Sequence, residues 1–303
     1  MTHDFVDDPR NRDLLVHVNG DLRPRAEAVI SVFDSGFLMG DGVWEGLRLH
    51  HGRIPFLDRH YDRLFENAAG IALEIPWSRQ ELTARLRDLF AANDMRESAH
   101  VRLMITRGLK TTPYQDPRVN VSGPTLVITA EHKKPVPEAR EHGLRLFTVH
   151  VRRGRPDVQD PAWNSHSKLN CIVACVQATG AGADEALMLD PQGFVATCNS
   201  TNFFCVRKGE VWTATPKYLM PGITRAVTLE LCREHGIPAR ELDFTLTNVY
   251  GAEEAFVTGT FGGLVPATEV DGRRIGDGTR GPITRRLQEL YDRRVASEGE
   301  VIS

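Results

Sequence analysis

The sequence predicts an α+β protein built from two domains. Its 303 residues are 41% hydrophobic and 25% charged, a composition that suits a soluble globular chain with two cores. Strand-like and helix-like segments follow one another without the strict alternation that a doubly wound parallel sheet requires. From residue 132 the run His-Lys-Lys-Pro-Val-Pro-Glu interrupts them, and its two prolines favour an extended connector. We therefore expect a small α/β domain at 1–131, an interdomain linker at 132–142 and a large domain at 143–303.

The small domain is expected to begin with two β-hairpins. Asn19-Gly20 separates strand-like runs at 15–18 and 21–23, and both residues tolerate the positive φ values of a tight type I′ turn. A second hairpin is expected over 43–56, with its turn at His51-Gly52.

Two helices and two strands complete the small domain. The first helix is predicted by apolar residues at helical spacing, namely Leu57, Tyr61, Leu64, Phe65 and Ala68. The second begins with Ser78 and has Glu81 three residues later, which is the pattern of a capping box. Runs rich in β-branched and apolar residues predict strands at 100–106 and 125–130.

The large domain is expected to mix strands with helices. The strands are predicted at 143–151, 185–189, 203–206, 211–213 and 255–258. The helices are predicted at 168–180, 224–235 and 281–293. Cys232 and His235 have a CxxH spacing, but no second pair at zinc spacing follows, and Gly236 marks an ordinary helix end. We expect no metal site.

Composition argues against several classes of partner. The formal net charge is -3 and Lys and Arg are spread along the chain, so neither nucleic acid nor a membrane surface is expected as a partner. The longest apolar stretches, at 125–130 and 171–176, are far shorter than the ~20 residues of a membrane span. The polar start at 1–8 lacks a signal-peptide core, and the five cysteines lie mostly in apolar segments, as reduced thiols do. We expect a cytoplasmic protein.

One lysine stands at the boundary between a polar and an apolar segment. The polar run 165–170 contains Lys168 and leads directly into the apolar helix at 171–176. Partial desolvation favours the neutral amine over the ammonium, and the neutral amine is the form that attacks an aldehyde to make an imine. A lysine that merely extends from the first helical turn into solvent would give the same pattern.

Six blocks of the sequence occur in the order of a known family. They are GDGVWEGLR at 40–48, HYDRL at 60–64, SHSKLN at 165–170, DEAL with DPQG at 184–193, PGITR at 221–225 and VTGT at 257–260. Together they resemble the class IV aminotransferases, the fold type IV pyridoxal-phosphate enzymes. That group includes branched-chain aminotransferase, D-amino-acid aminotransferase and aminodeoxychorismate lyase. The resemblance covers nearly the whole chain.

The resemblance implies pyridoxal 5'-phosphate as the cofactor, held as a Schiff base by Lys168, which is then also the acid and base of catalysis. It implies that Arg63 supplies a cation to the phosphate, and that amide and hydroxyl donors come from Ile223, Thr224 and Thr260. The residues agree, because the Pro221-Gly222 turn leads into a helix whose free amides and positive dipole end would meet an anion. On a lone helix, Arg63 would instead be interpreted as a solvated charge.

Thr197 stands where the family has a glutamate that binds the pyridine nitrogen of the cofactor. The match is ungapped from Asp190 through Asn202. We expect the Thr197 hydroxyl to approach that nitrogen, although a neutral partner holds the ring nitrogen protonated less firmly than a carboxylate does. The resemblance therefore implies cofactor binding and leaves the efficiency and the exact type of reaction open.

Five residues are expected on the substrate side of the site. Arg102 and Arg107 cluster at the end of an apolar strand, where a substrate carboxylate would meet a guanidinium. By resemblance, Arg102 lies where branched-chain enzymes place a substrate-side arginine, and Met39, Arg48 and His100 map to the same side. Met39 and His100 replace tyrosines of those enzymes, and the loop 109–115 lacks the arginine and histidine pair of D-amino-acid enzymes. A salt-bridged surface cluster is the alternative for each residue, and the hand of the substrate stays open.

We expect an aminotransferase that moves an amino group between an amino acid, branched-chain-like or D, and a 2-oxo acid. The family implies a homodimer. Two alternatives stay open. A lyase of the aminodeoxychorismate type would use the same lysine to protonate a pyruvate enamine, and a cofactor-binding homologue with little turnover would account for Thr197.

Overall fold

A computed structural model describes residues 7–302 of the chain. Most of the polar start at 1–8, on which the expectation of a cytoplasmic location partly rests, lies outside these residues. The helices are α1 (Ser35–Met39), α2 (Leu57–Gly70), α3 (Arg79–Ala92), α4 (Pro137–His142), α5 (Leu169–Gly180), α6 (Ile223–Glu234), α7 (Leu246–Tyr250) and α8 (Pro282–Ser297). Within 7–302, none of them is long and apolar enough to cross a membrane.

The strands lie between and around these helices. They are β1 (Leu15–Val18), β2 (Asp21–Pro24), β3 (Gly42–Leu49), β4 (Arg53–Ile54), β5 (Ala99–Thr106), β6 (Thr125–His132), β7 (Leu144–Thr148), β8 (Glu185–Leu189), β9 (Val195–Cys198), β10 (Asn202–Arg207), β11 (Glu210–Thr213), β12 (Ala239–Glu241), β13 (Glu254–Gly259), β14 (Gly263–Val270), β15 (Arg273–Arg274) and β16 (Glu300–Val301).

The described residues form two compact units. The N-terminal unit consists of 7–134, 163–167 and 295–302, and the C-terminal unit of 135–162 and 168–294. Two short segments from beyond residue 134 therefore belong to the N-terminal unit. Ser165 forms a β-bridge with Val43, and β16 pairs with β4. The contiguous domain limits expected from the sequence stay a prediction.

The expected linker at 132–142 contains a helix. Pro137 lies at the start of α4, and Gly143 follows its last residue with a φ of 80°. Proline suits the first turn of a helix because its missing amide would have no helical partner there and its fixed φ is already helical. The expectation of an extended connector is therefore wrong for the second half of this segment.

The N-terminal unit is built on an antiparallel sheet in the order β2-β1-β6-β5-β3. The turn of the first hairpin is confirmed, since Asn19 and Gly20 have φ values of 51° and 106°. The capping box of α3 is confirmed as well, because Ser78 Oγ accepts from the Glu81 amide and the Glu81 carboxylate accepts from the Ser78 amide. Apolar side chains of α2, α3 and the sheet share one core.

The second hairpin forms only at its turn. His50 and Arg53 exchange backbone hydrogen bonds of 2.8 and 3.1 Å, but β4 has two residues and pairs with β16. Phe56 has a φ of 58° and caps the start of α2. The expected strand to residue 56 is therefore wrong, because the chain must turn into the helix there.

The C-terminal unit is built on a mixed sheet with the order β12-β11-β10-β13-β14-β7-β8-β9, and β15 pairs with β14. β7 runs parallel to β8 and β14, and β11 runs parallel to β12, whereas the other pairs are antiparallel. α5 packs on β8 and α6 packs on β13. Helices on a mixed sheet confirm the α+β class.

Candidate active site

The start of α6 offers backbone amides next to a glycine. Gly222 is the N-cap residue and makes no side-chain cap hydrogen bond, while Ile223 and Thr224 are buried in the first turn. A Cβ on Gly222 would collide with Oδ1 of Asn202, so a larger residue would displace that amide. A helix start of this kind combines unpaired amides with the positive end of the helix dipole, and it binds anions such as phosphate.

Asn202 joins this turn to Thr197. Its Nδ2 donates to the Met220 carbonyl at 3.1 Å and to Oγ1 of Thr197 at 3.2 Å. The Thr197 hydroxyl itself donates to the carbonyl of Thr201 at 2.8 Å. Because its proton is used there, Thr197 can only accept a hydrogen bond from a further group. The structure thus brings together Thr197 and the start of α6.

A buried carboxyl fixes the turn that follows Thr197. Oε1 of Glu185 accepts from the Ser200 amide at 3.0 Å, from the Ser200 hydroxyl at 2.8 Å and from Oγ1 of Thr201 at 2.9 Å. Burial raises the pKa of Glu185, although these hydrogen bonds oppose the shift. Burial also raises the pKa of Cys198 well above its usual value, so this thiol stays protonated. The turn is therefore a support for Thr197 and not a reactive centre.

Lys168 is the N-cap residue of α5 and is half-buried. No charged residue follows it within α5. Asn170 in the first turn donates to the Arg152 carbonyl at 3.0 Å and accepts from the Arg153 guanidinium at 3.2 Å, which fixes the start of the helix. Lys168 thus belongs to the same compact unit as Thr197 and α6.

These residues fit a phosphate-bearing cofactor. Asn202 packs so closely against Gly222 that an added Cβ would collide with it, and the amides of Ile223 and Thr224 begin the helix there. The Thr224 hydroxyl lies 3.3 Å from the Tyr291 hydroxyl, and either of the two can donate to the other. Thr260 lies half-buried in the turn between β13 and β14.

Arg63 lies in the N-terminal unit, inside a buried charge cluster. Its Nε and Nη2 donate to the carboxylate of Glu45 at 2.8 and 2.7 Å, and Nδ1 of His60 lies 2.7 Å from the same carboxylate. Burial acts to raise the pKa of Glu45, yet the charge of Arg63 and the hydrogen bonds hold it below its usual value. Burial lowers the pKa of His60. Arg63 is therefore not a solvated helix charge.

Three of the predicted substrate residues share one face of the N-terminal sheet. Arg48 and His100 are directly opposite each other on β3 and β5, and Arg102 lies two residues further along β5. The Arg102 guanidinium lies over the Trp44 ring at 3.9 Å, and Nδ1 of His100 lies 3.4 Å from the Glu131 carboxylate. Burial lowers the pKa of Arg102. This half-buried face presents guanidinium groups that suit a carboxylate.

Arg107 and Met39 lie outside β3 and β5, the strands of that face. Arg107 donates to Asp41 at 2.7 and 3.0 Å, and to the carbonyls of Ala72 at 2.7 Å and Ile71 at 2.8 Å. These four bonds use most of the five N–H groups of a guanidinium, so Arg107 holds neighbouring loops and offers little to a substrate. Met39 is the last residue of α1 and is half-buried.

Glu45 and Asn202 were not singled out from the sequence. β3 alternates in burial, and Glu45 occupies an inward position between Val43 and Leu47. A charge at an inward position of an alternating strand indicates a buried partner, so this signal was present in the sequence. Asn202 carries no such signal, because its role depends on the packing of Gly222 against it.

The CxxH spacing marks the end of a helix. Cys232 lies in α6, His235 caps it and Gly236 follows with a φ of 63°. In the part of the chain that the structure describes, no group of three or more His, Cys, Asp or Glu side chains could hold a metal ion.

Residues 42–270 match the family model described as "Amino-transferase class IV". "Branched-chain-amino-acid aminotransferase-like protein 1" of Arabidopsis thaliana is 40% identical over 96% of this chain, which spans 52% of that relative's length. A "Putative branched-chain-amino-acid aminotransferase" of Methanocaldococcus jannaschii is 38% identical over 91% of this chain and 94% of its own. A "D-alanine aminotransferase" of Listeria monocytogenes is 34% identical over 91% of this chain and 94% of its own.

Solved structures have the same fold. The branched-chain aminotransferase of Thermoproteus uzoniensis with norvaline matches with a TM-score of 0.85 and 29% identity, over 94% of this chain and 96% of that one. A branched-chain aminotransferase solved with pyridoxamine 5'-phosphate matches with a TM-score of 0.88. These matches confirm the fold type IV architecture. The family model covers most of the chain and the relatives agree with it, so the chain belongs to the class IV aminotransferases, whose cofactor is pyridoxal 5'-phosphate.

Proposed function

We propose that the protein is an aminotransferase that moves an amino group between an amino acid and a 2-oxo acid with pyridoxal 5'-phosphate. The observation that carries the proposal is the uncapped start of α6, which Asn202 joins to Thr197 in the unit that also contains Lys168. An anion cradle and a lysine at an apolar helix start suit a phosphate-bearing aldehyde.

The side chains of this protein then have separate roles. When bound, the cofactor supplies an electron sink that weakens the bond between Cα of the substrate and its hydrogen. Lys168 would hold the cofactor through its amine, and the same amine would take the proton that leaves Cα of the substrate and return it. Thr197 would accept a hydrogen bond from the ring nitrogen. Arg63, Ile223, Thr224 and Thr260 would hold the phosphate.

Substrate binding falls to the half-buried face of the N-terminal sheet. Arg102 binds the substrate carboxylate, with Arg48 and His100 on the same face. Met39, at the end of α1, is proposed as a further substrate contact. Arg107 positions Asp41 and its loops. The relatives are named for branched-chain amino acids and for D-alanine, and both classes are candidate substrates here.

Product analysis tests this function. Purified protein is incubated with 2-oxoglutarate and, in separate assays, with L-leucine, D-alanine or an (R)-amine, and glutamate is measured. A parallel assay with aminodeoxychorismate alone detects pyruvate. Glutamate from an amino acid donor supports the aminotransferase. Pyruvate without glutamate indicates the lyase, and bound cofactor with neither product indicates a homologue with little turnover.

Thr197→Glu is expected to raise the protonated fraction of the cofactor's ring nitrogen and to speed the half-reaction with an amino acid about tenfold. A carboxylate binds a protonated nitrogen more strongly than a hydroxyl does. The reason is that a hydrogen bond between two charged groups is stronger than one that involves a neutral group. The measurements are the visible spectrum as a function of pH and stopped-flow absorbance.

Thr197→Ser keeps the hydroxyl and serves as the control, with a spectrum close to that of the wild type. If Thr197→Glu folds and binds cofactor but changes neither the spectrum nor the rate, Thr197 does not face the ring nitrogen.

A homodimer belongs to the same proposal, and α5 supports it. Leu169, Ile172, Val173 and Val176 recur at helical spacing and are 71%, 56%, 39% and 65% exposed. An apolar stripe of this kind on a helix without charges suits a protein partner. We expect Ile172→Glu together with Val176→Glu to convert a dimer into a monomer in light scattering at micromolar concentration.

Val158→Glu provides the control, because Val158 is 79% exposed and lies outside α5. It is expected to leave the dimer intact. A double α5 variant with the mass of the wild-type assembly would rule out this face as the interface.

The proposal also covers the domain organisation and the location of the protein. The chain has a small domain and a large cofactor-binding domain, and Lys168 and the start of α6 belong to the latter. The cytoplasm is proposed as its location, because all five cysteines are unpaired and three of them are buried.

A further inference from the structure

A buried hydroxyl without a partner lies in the C-terminal sheet. Thr258 on β13 is 2% exposed, and its Oγ1 has no hydrogen-bond partner among the described residues. A buried polar group left unpaired destabilises a fold, and such groups in native proteins call for an explanation, such as a functional role or a bound water or ion.

The register of the sheet places this hydroxyl near the start of α6. Thr258 is directly opposite Asn202 on β10, and directly opposite residues project to the same face. Phe204 and Phe256 form the next pair on the same face, two residues further along each strand. Their rings stack 4.9 Å apart, which confirms that opposite residues share a face here. The Asn202 side chain in turn lies against Gly222, the N-cap residue of α6. The Thr258 hydroxyl thus lies on the sheet face that meets the first turn of this helix.

Comparable threonines of the same unit have partners. The buried hydroxyl of Thr213 donates to the Phe203 carbonyl at 2.8 Å, and that of Thr228 donates to the Thr224 carbonyl at 2.8 Å. Valine has the same shape as threonine and would fill the position of Thr258 without an unpaired hydroxyl. The hydroxyl of Thr258 is therefore available to a bound group.

We propose that Oγ1 of Thr258 donates a hydrogen bond to the phosphate of the cofactor, alongside the first-turn amides of α6. This inference rests on the proposed function, because it assumes a phosphate-bearing ligand at the start of α6. It adds a donor from β13 itself to the one expected from Thr260 in the following turn.

Thr258→Val in the full chain, freed of cofactor, tests the proposal. The substitution removes an unpaired buried hydroxyl, so the Tm of the cofactor-free protein is expected to rise. It also removes a charge-assisted hydrogen bond to phosphate, so the Kd for pyridoxal 5'-phosphate is expected to rise about tenfold. A purely structural hydroxyl would instead lower the Tm when removed.

Two controls sharpen the test. Thr213→Val removes a partnered hydroxyl from the same sheet, so the Tm is expected to fall and the Kd to stay unchanged. Thr258→Ser keeps the hydroxyl and is expected to keep the wild-type Kd. Inorganic phosphate, used as a competitor, should bind Thr258→Val more weakly than the wild type, which locates the contact at the phosphate group.

An unchanged Kd in Thr258→Val, weaker binding together with a lower Tm, or unaltered competition by inorganic phosphate would each overturn the role of Thr258. A wild-type chain that binds no pyridoxal 5'-phosphate would overturn the proposed function itself, which makes the two failures distinguishable.

Discussion

Lys168→Ala is expected to lower kcat for amino transfer by at least about 10²–10⁴-fold, which is the range that a positioned acid–base group contributes. The loss is large because, in the proposed mechanism, one amine both anchors the cofactor and carries the proton of Cα. The cofactor should still bind, because the variant keeps the proposed phosphate ligands at the start of α6 and Arg63. Steady-state rates with the best donor, measured beside the absorbance of bound cofactor, check both parts.

Lys217→Ala is the matched control. The Lys217 side chain is 64% exposed and lies 3.5 Å from Asp243, so its removal should leave kcat unchanged. A small amine added to Lys168→Ala should restore part of the rate, because it replaces the missing base. Wild-type turnover by Lys168→Ala without added amine would contradict the assignment.

Arg63→Ala is expected to weaken cofactor binding about tenfold or more and also to destabilise the protein. Loss of a charge-assisted contact to phosphate accounts for the first effect. The second follows from Glu45, which is 1% exposed and would lose its bidentate partner. Breaking a buried ion pair from one side costs roughly 3–5 kcal/mol. Cofactor retention on dialysis and the free energy of unfolding are the measurements.

A double variant separates these two effects. Glu45→Gln with Arg63→Met removes both charges and keeps an acceptor for His60, so most of the lost stability should return. Cofactor binding should stay weak, because no cation is restored. A double variant that is stable and retains cofactor like the wild type would show that Arg63 has only a structural role.

The parts of the fold with local causes were predictable from the sequence. Asn19-Gly20 makes its turn because both residues accept positive φ, and Ser78 with Glu81 caps α3 through neighbouring backbone groups. β14 was missed because Pro266 and its glycine weaken the strand pattern, although the strand is central in its sheet. The segments 163–167 and 295–302 join the N-terminal unit through pairings with residues far away in sequence, such as the pairing of β16 with β4. Sequence patterns do not reveal such pairings.

The candidate site also combines features with local causes and features that depend on distant contacts. Gly222 before a helix indicated an anion site from local chemistry, and the structure supplies the close approach of Asn202 that favours the glycine. Arg107 was expected on the substrate side from its place at the end of a strand, and the sequence could not reveal that distant backbone carbonyls and Asp41 use its donors. No sequence pattern predicts the unpaired hydroxyl of Thr258. It depends on which donors and acceptors the fold places around that side chain.

Borohydride reduction followed by peptide mass mapping tests the central claim most directly. Reduction fixes the cofactor to the lysine that holds it, so the peptide containing Lys168 should carry the mass of one phosphopyridoxyl group, and Lys168→Ala should carry none. A label on the peptide containing Lys208 or Lys217, or cofactor that is bound but never fixed to any lysine, would contradict the account.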